Sequence, residues 1–389
     1  MTHVLHVMHA YYPATVYGGI VTWARDVCEQ QAASGLRVSV VCMSSFAGAP
    51  PPTEMRPLDT WLERGAGLRV KYYRETVSDR ISVTMLRGLR DDIAEADVVH
   101  VHGIFYAFFP VALRIARRLN KTAVVSVHGM LSDWQLAQNG LAKRVFLAAC
   151  VRPFARDVQW HATCEPEEAD VTTLFPDARV QMVPNGVHVA TIAAAAPEAR
   201  RTDLRTRYAP ALPAEGPVVV ALCRLHRKKG LDLLIRAAAE LREGSYPDLA
   251  VLIAGDEDGD GDRLRDLSAS LGLEQAVRFV GQLDGEDKWG LLRGADVFAM
   301  PSHDENFGIA YAEALACGTP VVASVHTPWA VVEEDGSGHW IDLDVDHVAA
   351  AIADLLEADA DVLGERSLRT AYRFDWGVIT PRIIELYAA

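Results

Sequence analysis

Residues 295–324 read ADVFAMPSHDENFGIAYAEALACGTPVVAS. The first eight residues form an apolar run typical of a buried strand, the loop HDENFG follows, and IAYAEALA has the composition of a helix. Gly318 and Pro320 are stop signals for that helix, and the next apolar run, TPVVASV, begins at once. A strand, a loop, a helix and a second strand in this order predict a unit with parallel strands.

The same alternation of apolar runs and helical patterns occurs in two series along the chain. The candidate strands of the first series are HVLHVMHA, LRVSVVCM, LRVKYYR, ADVVHVHG and TAVVSVHG. Those of the second series are PVVVALCRL, LAVLIAGD, VRFVGQL, ADVFAMPS, TPVVASV and GSGHWID. A helix at about residues 19–34 separates the first two strands and ends at Gly35. We predict an α/β protein of two Rossmann-like domains, whose parallel sheets face each other across an interdomain cleft.

The join between the two series lies in ATIAAAAPEARRTDLRTRYAPALPAEG, which is rich in alanine and proline and lacks a strand pattern. We therefore assign residues 1–187 to an N-terminal Rossmann-like domain and residues 188–365 to a C-terminal Rossmann-like domain. Residues 366–389 form a closing segment whose amphipathic helix, with Pro381 near its start, is expected to pack back toward the N-terminal domain.

Composition excludes several classes of protein. The chain has 389 residues, half of them hydrophobic, and a net charge of −14. Residues 1–187 carry 19 Lys/Arg and 18 Asp/Glu, so nearly all the negative charge lies in the rest of the chain. The absence of a basic run argues against nucleic-acid binding. No stretch approaches the roughly 20 apolar residues of a membrane span, and MTHVLHVMHAYYP lacks the features of a signal peptide. Six scattered cysteines indicate reduced thiols, and we expect a cytoplasmic protein.

A basic loop follows the first strand of the second series. In CRLHRKKG, Arg224 and Lys229 lie five residues apart at a strand end, just before a helix. Cations at a strand end, together with the free amides of a helix N-terminus, favour a phosphate group. A solvent-facing basic loop is the alternative, but the surrounding domain is strongly acidic. We predict that this loop binds phosphate.

Known cofactor motifs are missing. The sequence contains neither the G-x-G-x-x-G dinucleotide fingerprint after a strand nor a P-loop. The stretch GDEDGDGDR resembles half a calcium loop without the glutamate that completes it, and a solvated acidic turn is the better interpretation. We expect no metal and no cofactor.

Two further strand ends carry candidate residues. Gly18 and Gly19, in YYPATVYGGI, would let a ligand approach the backbone at the start of the first helix, although a plain tight turn explains them equally well. His128, in TAVVSVHGM, ends a strand beside a glycine, which suits a polar or acid–base contact. Histidines at other strand ends (His9, His100 and His102) show that the residue type alone does not discriminate.

Glu305 and Glu313 lie eight residues apart around the start of a helix. With Glu305 in the loop and Glu313 inside the helix, the two carboxylates would contact different parts of one extended ligand. The amides of Asn306, Phe307 and Gly308 would point between them. Stabilisation of the helix dipole would explain Glu305, but it does not explain Glu313 within so apolar a helix.

Taken together, these motifs resemble the retaining GT-B glycosyltransferases, most closely glycosyltransferase family 4. The resemblance covers nearly the whole chain and is strongest in CRLHRKKG, VLIAGDE, VRFVGQL and the E-x7-E segment PSHDENFGIAYAEALACGTPVVAS. It is weaker in YGGI, SVHGM, VPNGV and the closing helix. Cys223 replaces the glycine that usually precedes the arginine, and Arg224 stays in register.

The resemblance implies a nucleotide-sugar donor, held mainly by the C-terminal domain, and a hydroxyl acceptor, either a sugar or a lipid-linked sugar, on the side of the N-terminal domain. Arg224 and Lys229 would neutralise the donor diphosphate, with a backbone contact from Gly19. Glu313 would hold the ribose, and Glu305 with the amides of residues 306–308 would hold the transferred sugar. His128 would contact the sugar near its reacting carbon.

The family is thought to react on one face of the sugar, with the leaving phosphate assisting deprotonation of the acceptor. Glu305 as a covalent nucleophile ranks second. The predicted function is sugar transfer in bacterial surface polysaccharide or glycolipid assembly. A GT-B nucleotide-sugar epimerase and a non-catalytic nucleotide-sugar-binding protein are the alternatives.

One stretch bears on membranes. LAKRVFLAACVRPFARDVQW places Lys143, Arg144, Arg152 and Arg156 among apolar residues. An interfacial helix has this composition, and so has a buried domain helix with a basic exposed face. We favour the buried helix and keep peripheral contact at the inner face of the membrane as the alternative.

Overall fold

A computed structural model of the chain describes residues 1–74, 77, 81–138, 140–195 and 201–388. The chain divides into two units. Unit 1 comprises Met1–Gly186 and Trp376–Ala389, and unit 2 comprises Val187–Asp375. The closing segment thus begins at Trp376, later than the predicted residue 366, because residues 360–372 form a helix of unit 2.

The strands of the two units are, in chain order, β1 His3–Val7, β2 Arg37–Met43, β3 Trp61–Glu63, β4 Leu68–Tyr73, β5 Val98–His102, β6 Thr122–Ser126, β7 Gln159–Ala162, β8 Arg179–Met182, β9 Val218–Leu222, β10 Ala250–Ala254, β11 Val277–Gly281, β12 Val297–Met300, β13 Val321–Ser324 and β14 Gly338–Ile341.

The helices are, in chain order, α1 Gly19–Ala33, α2 Val83–Glu95, α3 Phe108–Arg118, α4 Asp133–Ala137, α5 Gly140–Phe146, α6 Glu165–Leu174, α7 Val189–Ala195, α8 Arg201–Tyr208, α9 Leu231–Glu243, α10 Gly261–Ser270, α11 Gly285–Arg293, α12 Ile309–Ala316, α13 Val331–Glu334, α14 Val345–Glu357, α15 Ala360–Tyr372 and α16 Trp376–Glu385.

Unit 1 is built on an eight-stranded sheet in the order β3-β4-β2-β1-β5-β6-β7-β8. All neighbours are parallel except β3, which runs antiparallel to β4. Every strand predicted for the first series is present. The sequence missed β3, β7 and β8 because WLE is very short and because QWHA and RVQM interrupt their apolar residues with polar ones.

Unit 2 contains a six-stranded parallel sheet in the order β11-β10-β9-β12-β13-β14. This is a doubly wound order. The first strand of the unit, β9, lies at the centre of the sheet, and the order of the strands reverses between β9 and β12. All six predicted strands of the second series are present. The predicted fold class, an α/β protein with parallel sheets in two Rossmann-like units, is confirmed.

Strands β9, β10 and β12 of unit 2 are apolar throughout because both faces of the sheet are covered. Val218 and Val220 of β9 pack into one apolar cluster, and Val219 and Ala221 pack into a second. Successive side chains of a strand point to opposite faces, so a central strand needs apolar residues at every position. The continuous runs in the sequence follow directly from this burial.

The predicted join contains two helices, α7 and α8, and both belong to unit 2. The intervening residues 196–200 lie outside the described ranges. In α8 the buried guanidinium of Arg205 donates hydrogen bonds to the carbonyl oxygens of Pro217 (3.1 Å) and Asp248 (2.8 Å). These bonds attach the helix to the residues that lie just before β9 and β10.

The closing helix α16 packs within unit 1. The ring of Trp376 lies so close to Gly186 that a Cβ on that glycine would stand 2.4 Å from it. Most of the predicted apolar face is buried (Trp376, Ile379, Ile383, Leu386 and Tyr387), and Ile384 is partly buried. Pro381 lies inside the helix rather than near its start. Within the described ranges, no helix is long and apolar enough to cross a membrane.

Candidate active site

The order of the strands in the unit 2 sheet reverses between β9 and β12, which pair directly. We call this point the sheet reversal. Ligands of doubly wound sheets bind beyond the carboxyl ends of the strands at such a point. The loop after β9 carries Arg224 and Lys229, and the loop after β12 carries Glu305. The fold therefore brings together two motifs that lie about 80 residues apart in the sequence.

The two loops touch at Gly230, which has a φ of 65°. A Cβ at this position would stand 1.9 Å from the carbonyl oxygen of Pro301, so only glycine fits. The amide of His303, two residues after Pro301, donates a hydrogen bond of 2.7 Å to the carbonyl oxygen of Lys228, two residues before Gly230. The basic loop is thus fixed against the loop that carries Glu305.

Lys229 and Glu305 form a salt bridge with side chains 16% and 14% exposed. Burial acts to lower the pKa of Lys229, but the carboxylate of Glu305 outweighs that effect and holds the pKa above its ordinary value. The ammonium is therefore charged and held in one place. A fixed, largely dehydrated cation of this kind suits a phosphate ligand.

Glu313 makes a separate salt bridge. Its Oε1 accepts a hydrogen bond of 2.6 Å from the Nζ of Lys288 in α11, and the two side chains are 13% and 20% exposed. Sequence reasoning missed Lys288, which lies in GEDKWG at a helix that follows a strand end. That position, on the ligand-binding side of β11, was the available signal.

Arg224 lies apart from these pairs. Its guanidinium is 67% exposed and donates a 2.7 Å hydrogen bond to Asp258. Its charge is close enough to act on the pKa of Lys229, which it tends to lower. A third pair joins Lys228 to Asp304 at 2.7 Å. The structure brings Lys229 and Glu305 into contact and keeps Arg224 at the solvent edge.

Gly308 precedes α12 with a φ of 76°, in the left-handed region. A Cβ at this position would come within 2.7 Å of the Tyr311 ring and 2.9 Å of the Cγ of Glu305. The ring of Phe307 is buried beside Trp329, whose Nε1 donates a 2.5 Å hydrogen bond to the Phe307 carbonyl. Among the described residues, the amides of Phe307 and Gly308 have no hydrogen-bond partner.

The acidic turn GDEDGDGDR is held by its own side chains. The Oε1 of Glu257 accepts hydrogen bonds from three amides of the turn, the shortest at 2.8 Å from Gly261. Asp260 is buried and accepts two hydrogen bonds from Arg263, at 2.6 and 2.8 Å. These contacts give the carboxylates a structural explanation.

In unit 1 the corresponding reversal lies between β1 and β5. Gly18 precedes α1 with a φ of 82°, and a Cβ there would meet open space, so the backbone conformation alone favours glycine. Within the part of the chain that the structure describes, the amide of Gly19 has no hydrogen-bond partner. An open helix start of this kind suits an anion.

His128 follows β6 and is partly buried, with a φ of 52° that is rare for a residue with a side chain. Burial and the nearby His161 lower its pKa to about 3, so the ring is neutral. Trp23 of α1 packs edge-on against this ring at 4.9 Å between centroids. Strain of this kind, retained at a strand end, is typical of functional positions.

Glu167 of α6 holds the turn that follows His128. Its carboxylate is buried and accepts hydrogen bonds of 2.6 Å from the amides of Gly129 and Thr163. It accepts a third, at 2.9 Å, from the Thr163 hydroxyl. Burial raises the pKa of Glu167. Sequence reasoning missed this residue, because nothing in CEPEEAD separates one glutamate from its neighbours.

Fold and site define a class of protein: two Rossmann-like units with a candidate ligand-binding site, built around Lys229 and Glu305, where the order of the strands in unit 2 reverses. Two family profiles match the sequence. The profile described as a glycosyl transferase 4-like domain matches residues 18–186, and that of the glycosyl transferases group 1 matches residues 205–371. The chain belongs to this glycosyltransferase family, and its fold is of the GT-B class.

Individual relatives agree with this assignment. A D-inositol 3-phosphate glycosyltransferase of Kineococcus radiotolerans is 36% identical over 409 residues, covering 95% of this chain and 90% of the relative. A phosphatidyl-myo-inositol mannosyltransferase of Mycolicibacterium smegmatis is 29% identical over 395 residues, covering 97% and 91%. The structure of HepE from Anabaena in complex with UDP superposes with a TM-score of 0.76 at 20% identity, over the full length of both chains.

Proposed function

We propose that this glycosyltransferase is a retaining, metal-independent enzyme that moves a sugar from a nucleotide-sugar donor to a hydroxyl acceptor. The observation that carries the proposal is the salt bridge between Lys229 and Glu305 at the sheet reversal of unit 2. It supplies a fixed cation for a diphosphate directly beside a carboxylate that can accept hydrogen bonds from sugar hydroxyls.

Lys229 and Arg224 would bind the donor diphosphate. As the bond between the sugar carbon and the phosphate oxygen breaks, negative charge grows on the leaving nucleotide. Lys229, charged and already held by Glu305, stabilises that charge without reorganising. Arg224 is exposed and paired with Asp258, so it can exchange that partner for a phosphate oxygen. Two such cations do the work that a divalent metal does elsewhere.

The remaining contacts follow the shape of the donor. Glu313, held by Lys288, accepts two hydrogen bonds from the ribose hydroxyls. Glu305 and the open amides of Phe307 and Gly308 hold the transferred sugar. Gly19 donates a backbone contact to a phosphate, and His128 meets the sugar near its reacting carbon.

Transfer on one face of the sugar balances without a protein nucleophile. The leaving phosphate oxygen accepts the proton of the acceptor hydroxyl while the new carbon–oxygen bond forms on the side that the phosphate leaves. Glu305 acts as a binding residue in this scheme. Its ion pair with Lys229 occupies a carboxylate oxygen and so lowers its nucleophilicity.

The relatives direct the choice of acceptor. Two of them carry names that refer to D-inositol 3-phosphate and phosphatidyl-myo-inositol. We propose an acceptor hydroxyl in glycolipid or surface polysaccharide assembly, and the first acceptors to test are these two inositol compounds.

An exposed apolar patch on unit 1 supports peripheral membrane contact. It consists of Trp134, Leu141 and Val145, whose exposed fractions are 42%, 80% and 60%. Arg144 is exposed beside them. The favoured interpretation of this stretch as a buried helix with a basic exposed face holds for Leu147, Val151 and Phe154, which are buried. It does not hold for α5, which presents Leu141 and Val145 to solvent. Apolar residues flanked by arginine suit the interface of an anionic bilayer.

Vesicle co-sedimentation tests this contact. The double variant Leu141→Glu/Val145→Glu should lose binding to vesicles rich in phosphatidylglycerol. The control Val362→Glu, at a residue 43% exposed in unit 2, should keep it. Failure of the wild type to bind at low salt would contradict the proposal.

Nucleotide release with and without acceptor tests the function itself. We expect release from one of the UDP-, GDP- or dTDP-sugars to depend on an added acceptor, with the product sugar keeping the anomeric configuration of the donor. Isomerisation of the donor without acceptor would identify an epimerase instead. Binding with no turnover on any acceptor would favour a non-catalytic protein.

A further inference from the structure

One face of the unit 1 sheet is polar where a hydrophobic core would be expected. Successive side chains of β1, β5, β6 and β7 alternate between two faces. The face toward the apolar cluster carries Leu5, Val99 and Val101. The opposite face carries the side chains of His6, His100, His102, Ser126 and His161, all of them buried. A layer of four histidines and a serine therefore lies inside the unit.

From His128 inward, these side chains form a continuous hydrogen-bonded row. The Nε2 of His128 lies 3.0 Å from the Nδ1 of His102. The Nε2 of His102 lies 2.8 Å from the Nδ1 of His6. The Nε2 of His6 lies 2.8 Å from the Oε1 of Gln31 in α1. His128 is thus connected to a buried amide on the helix that covers the sheet.

The row continues to the closing segment and back to the sheet. The Nε2 of Gln31 donates a 2.7 Å hydrogen bond to the hydroxyl of Tyr387, which lies 3.0 Å from the Nδ1 of His100. The Ser126 hydroxyl joins the Nε2 of His100 to the Nδ1 of His161, at 2.7 Å each. The Nε2 of His161 ends the row at the Val183 carbonyl, 2.8 Å away. We call the whole row the histidine chain.

The end at Val183 fixes the direction of every bond. A carbonyl oxygen only accepts, so the Nε2 of His161 carries a proton and its Nδ1 accepts from Ser126. Ser126 then accepts from the Nε2 of His100, whose Nδ1 accepts from the Tyr387 hydroxyl. The oxygen of that hydroxyl is left to accept from the Gln31 amide.

The directions of the remaining hydrogen bonds, from Gln31 to His128, follow in the same way. The Oε1 of Gln31 accepts from the Nε2 of His6, and the Nδ1 of His6 accepts from the Nε2 of His102. The Nδ1 of His102 then accepts from the Nε2 of His128. Each neutral imidazole offers one donor and one acceptor, so one assignment satisfies the whole row.

We propose that the histidine chain fixes His128 as the neutral tautomer with its proton on Nε2, so that Nδ1 faces the substrate as a hydrogen-bond acceptor. Gln31 and Tyr387 are positioning residues in this proposal, which rests on the proposed function for the role of His128. The Nδ1 of His128 has no hydrogen-bond partner among the described residues. A sugar hydroxyl can therefore donate to it.

Burial supports the neutral state along the row. It lowers the pKa of His6 and of His161 to about 4 and holds the pKa values of His100 and His102 well below the ordinary range. A protonated imidazole donates through both ring nitrogens, whereas each ring in the row faces only one hydrogen-bond acceptor.

A metal site is the competing explanation. One nitrogen each of His6, His100 and His102 lies within 4.8 Å of the others, a spacing that could hold an ion. Every ring nitrogen of these three histidines already has a hydrogen-bond partner at 2.7–3.0 Å. Metal binding would break several of those bonds, and the histidine chain satisfies all of them.

The test is ¹⁵N NMR of histidine-labelled wild type, which distinguishes protonated from unprotonated ring nitrogens. We expect His128 to carry its proton on Nε2 near pH 7 and no metal to copurify. A proton on the Nδ1 of His128, or one equivalent of bound metal, would overturn the proposal. This measurement does not depend on turnover, so a correct tautomer in a protein without transferase activity would contradict only the proposed function.

Two tyrosine variants separate the chain from general loss of buried bonds. Tyr387→Phe removes the link between Gln31 and His100, freeing the Gln31 amide to turn over, and should give His128 mixed tautomers. It should lower kcat about tenfold, the cost of one misdirected hydrogen bond, with little change in the donor KM. Tyr73→Phe removes the buried hydrogen bond to Asp92 in the same unit and should leave the tautomer of His128 and kcat unchanged. Equal effects of the two variants would contradict the chain.

A conservative pair tests Gln31 itself. Gln31→Glu keeps an acceptor for His6 and should retain the tautomer of His128 and kcat. Gln31→Met fills the same space without an acceptor, so His128 should lose its single tautomer and kcat should fall. Retention of the tautomer in Gln31→Met would overturn the assignment.

Discussion

In unit 2 the ammonium of Lys229 is salt-bridged to the carboxylate of Glu305, although the two residues belong to loops that follow different strands. The bridge forms because β9 and β12 are neighbours at the reversal of the sheet. It converts two distant sequence motifs into one charged, nearly dehydrated pair.

Lys229→Ala should lower kcat/KM by roughly 10²–10³, since it removes a preorganised charge from the leaving group. Lys228→Ala is the matched control because Lys228 is the preceding residue and pairs with Asp304 instead. We expect the control to change kcat/KM by less than about threefold, as for a partly exposed ion pair. Similar losses in both variants would mean that overall loop charge, rather than Lys229, supports transfer.

Gly308→Ala should impair donor use more than its effect on stability explains. The left-handed φ costs about 1–2 kcal/mol for any side chain, and the new methyl would also push against the Cγ of Glu305. Gly318→Ala, at a φ of 82° with no atom closer than 3.9 Å, carries only the first cost. Donor KM and the free energy of unfolding should be measured for both. Equal donor KM values would argue against crowding at Glu305.

Glu167→Gln should destabilise the protein by about 1–3 kcal/mol, because its amide group cannot accept all three hydrogen bonds of the carboxylate. It should also lower kcat, since the lost bond to Gly129 frees the turn beside His128. Glu165→Gln makes the same charge change at an exposed position of the same helix and should cost about 0.5 kcal/mol. Denaturant unfolding and initial rates check both variants, and an unchanged kcat in Glu167→Gln would contradict the role of the turn.

Acid should destabilise unit 1 through its buried histidines. Their pKa values are lowered in the folded state, to about 4 for His6 and His161, while the unfolded chain takes up protons near 6.5. The unfolded state therefore binds more protons in this window, and stability falls as pH drops from about 6.5 to 4. Each such proton contributes about 1.4 kcal/mol per pH unit.

Other groups near the histidines modify this slope. The pKa of the buried carboxyl of Glu167 is raised, so its effect has the opposite sign, but it offsets at most one proton. Tyr387 and Cys28, with raised pKa values, stay neutral throughout the window. His161→Gln should reduce the slope by about one proton. A free energy of unfolding that is flat between pH 6.5 and 4.5 would contradict neutral buried histidines.

Much of the fold was predictable because burial leaves a direct trace in sequence. Strands β9, β10 and β12 are covered on both faces and are apolar at each position, and every strand that was predicted from the sequence is present. The short strands β3, β7 and β8 carry no such pattern, so they required the tertiary structure. The orientation of the apolar residues of α5 could not be predicted either, because composition does not show whether Leu141 faces a core or solvent.

At the site, strand ends and helix starts identified which loops to examine, but not the partners of their charges. Lys229 and Glu305 were both candidates from sequence, yet their pairing depends on the order of strands in the sheet. Lys288 and Glu167 resemble ordinary surface residues until the fold places them against Glu313 and Gly129. The bond between Gln31 and Tyr387 joins residues 356 positions apart, which no local pattern reveals.

The most direct test of the account is calorimetric titration of UDP-, GDP- and dTDP-sugars into wild type, Lys229→Ala and Lys228→Ala, all in excess EDTA. On the proposal that Lys229 is the fixed cation of the donor site, at least one nucleotide sugar should bind the wild type without metal. Its affinity should fall about 10–100-fold in Lys229→Ala, the loss of one charge-assisted contact, and stay nearly unchanged in Lys228→Ala. A nucleotide sugar that binds only with a divalent cation, or equally well to Lys229→Ala, would contradict the central claim.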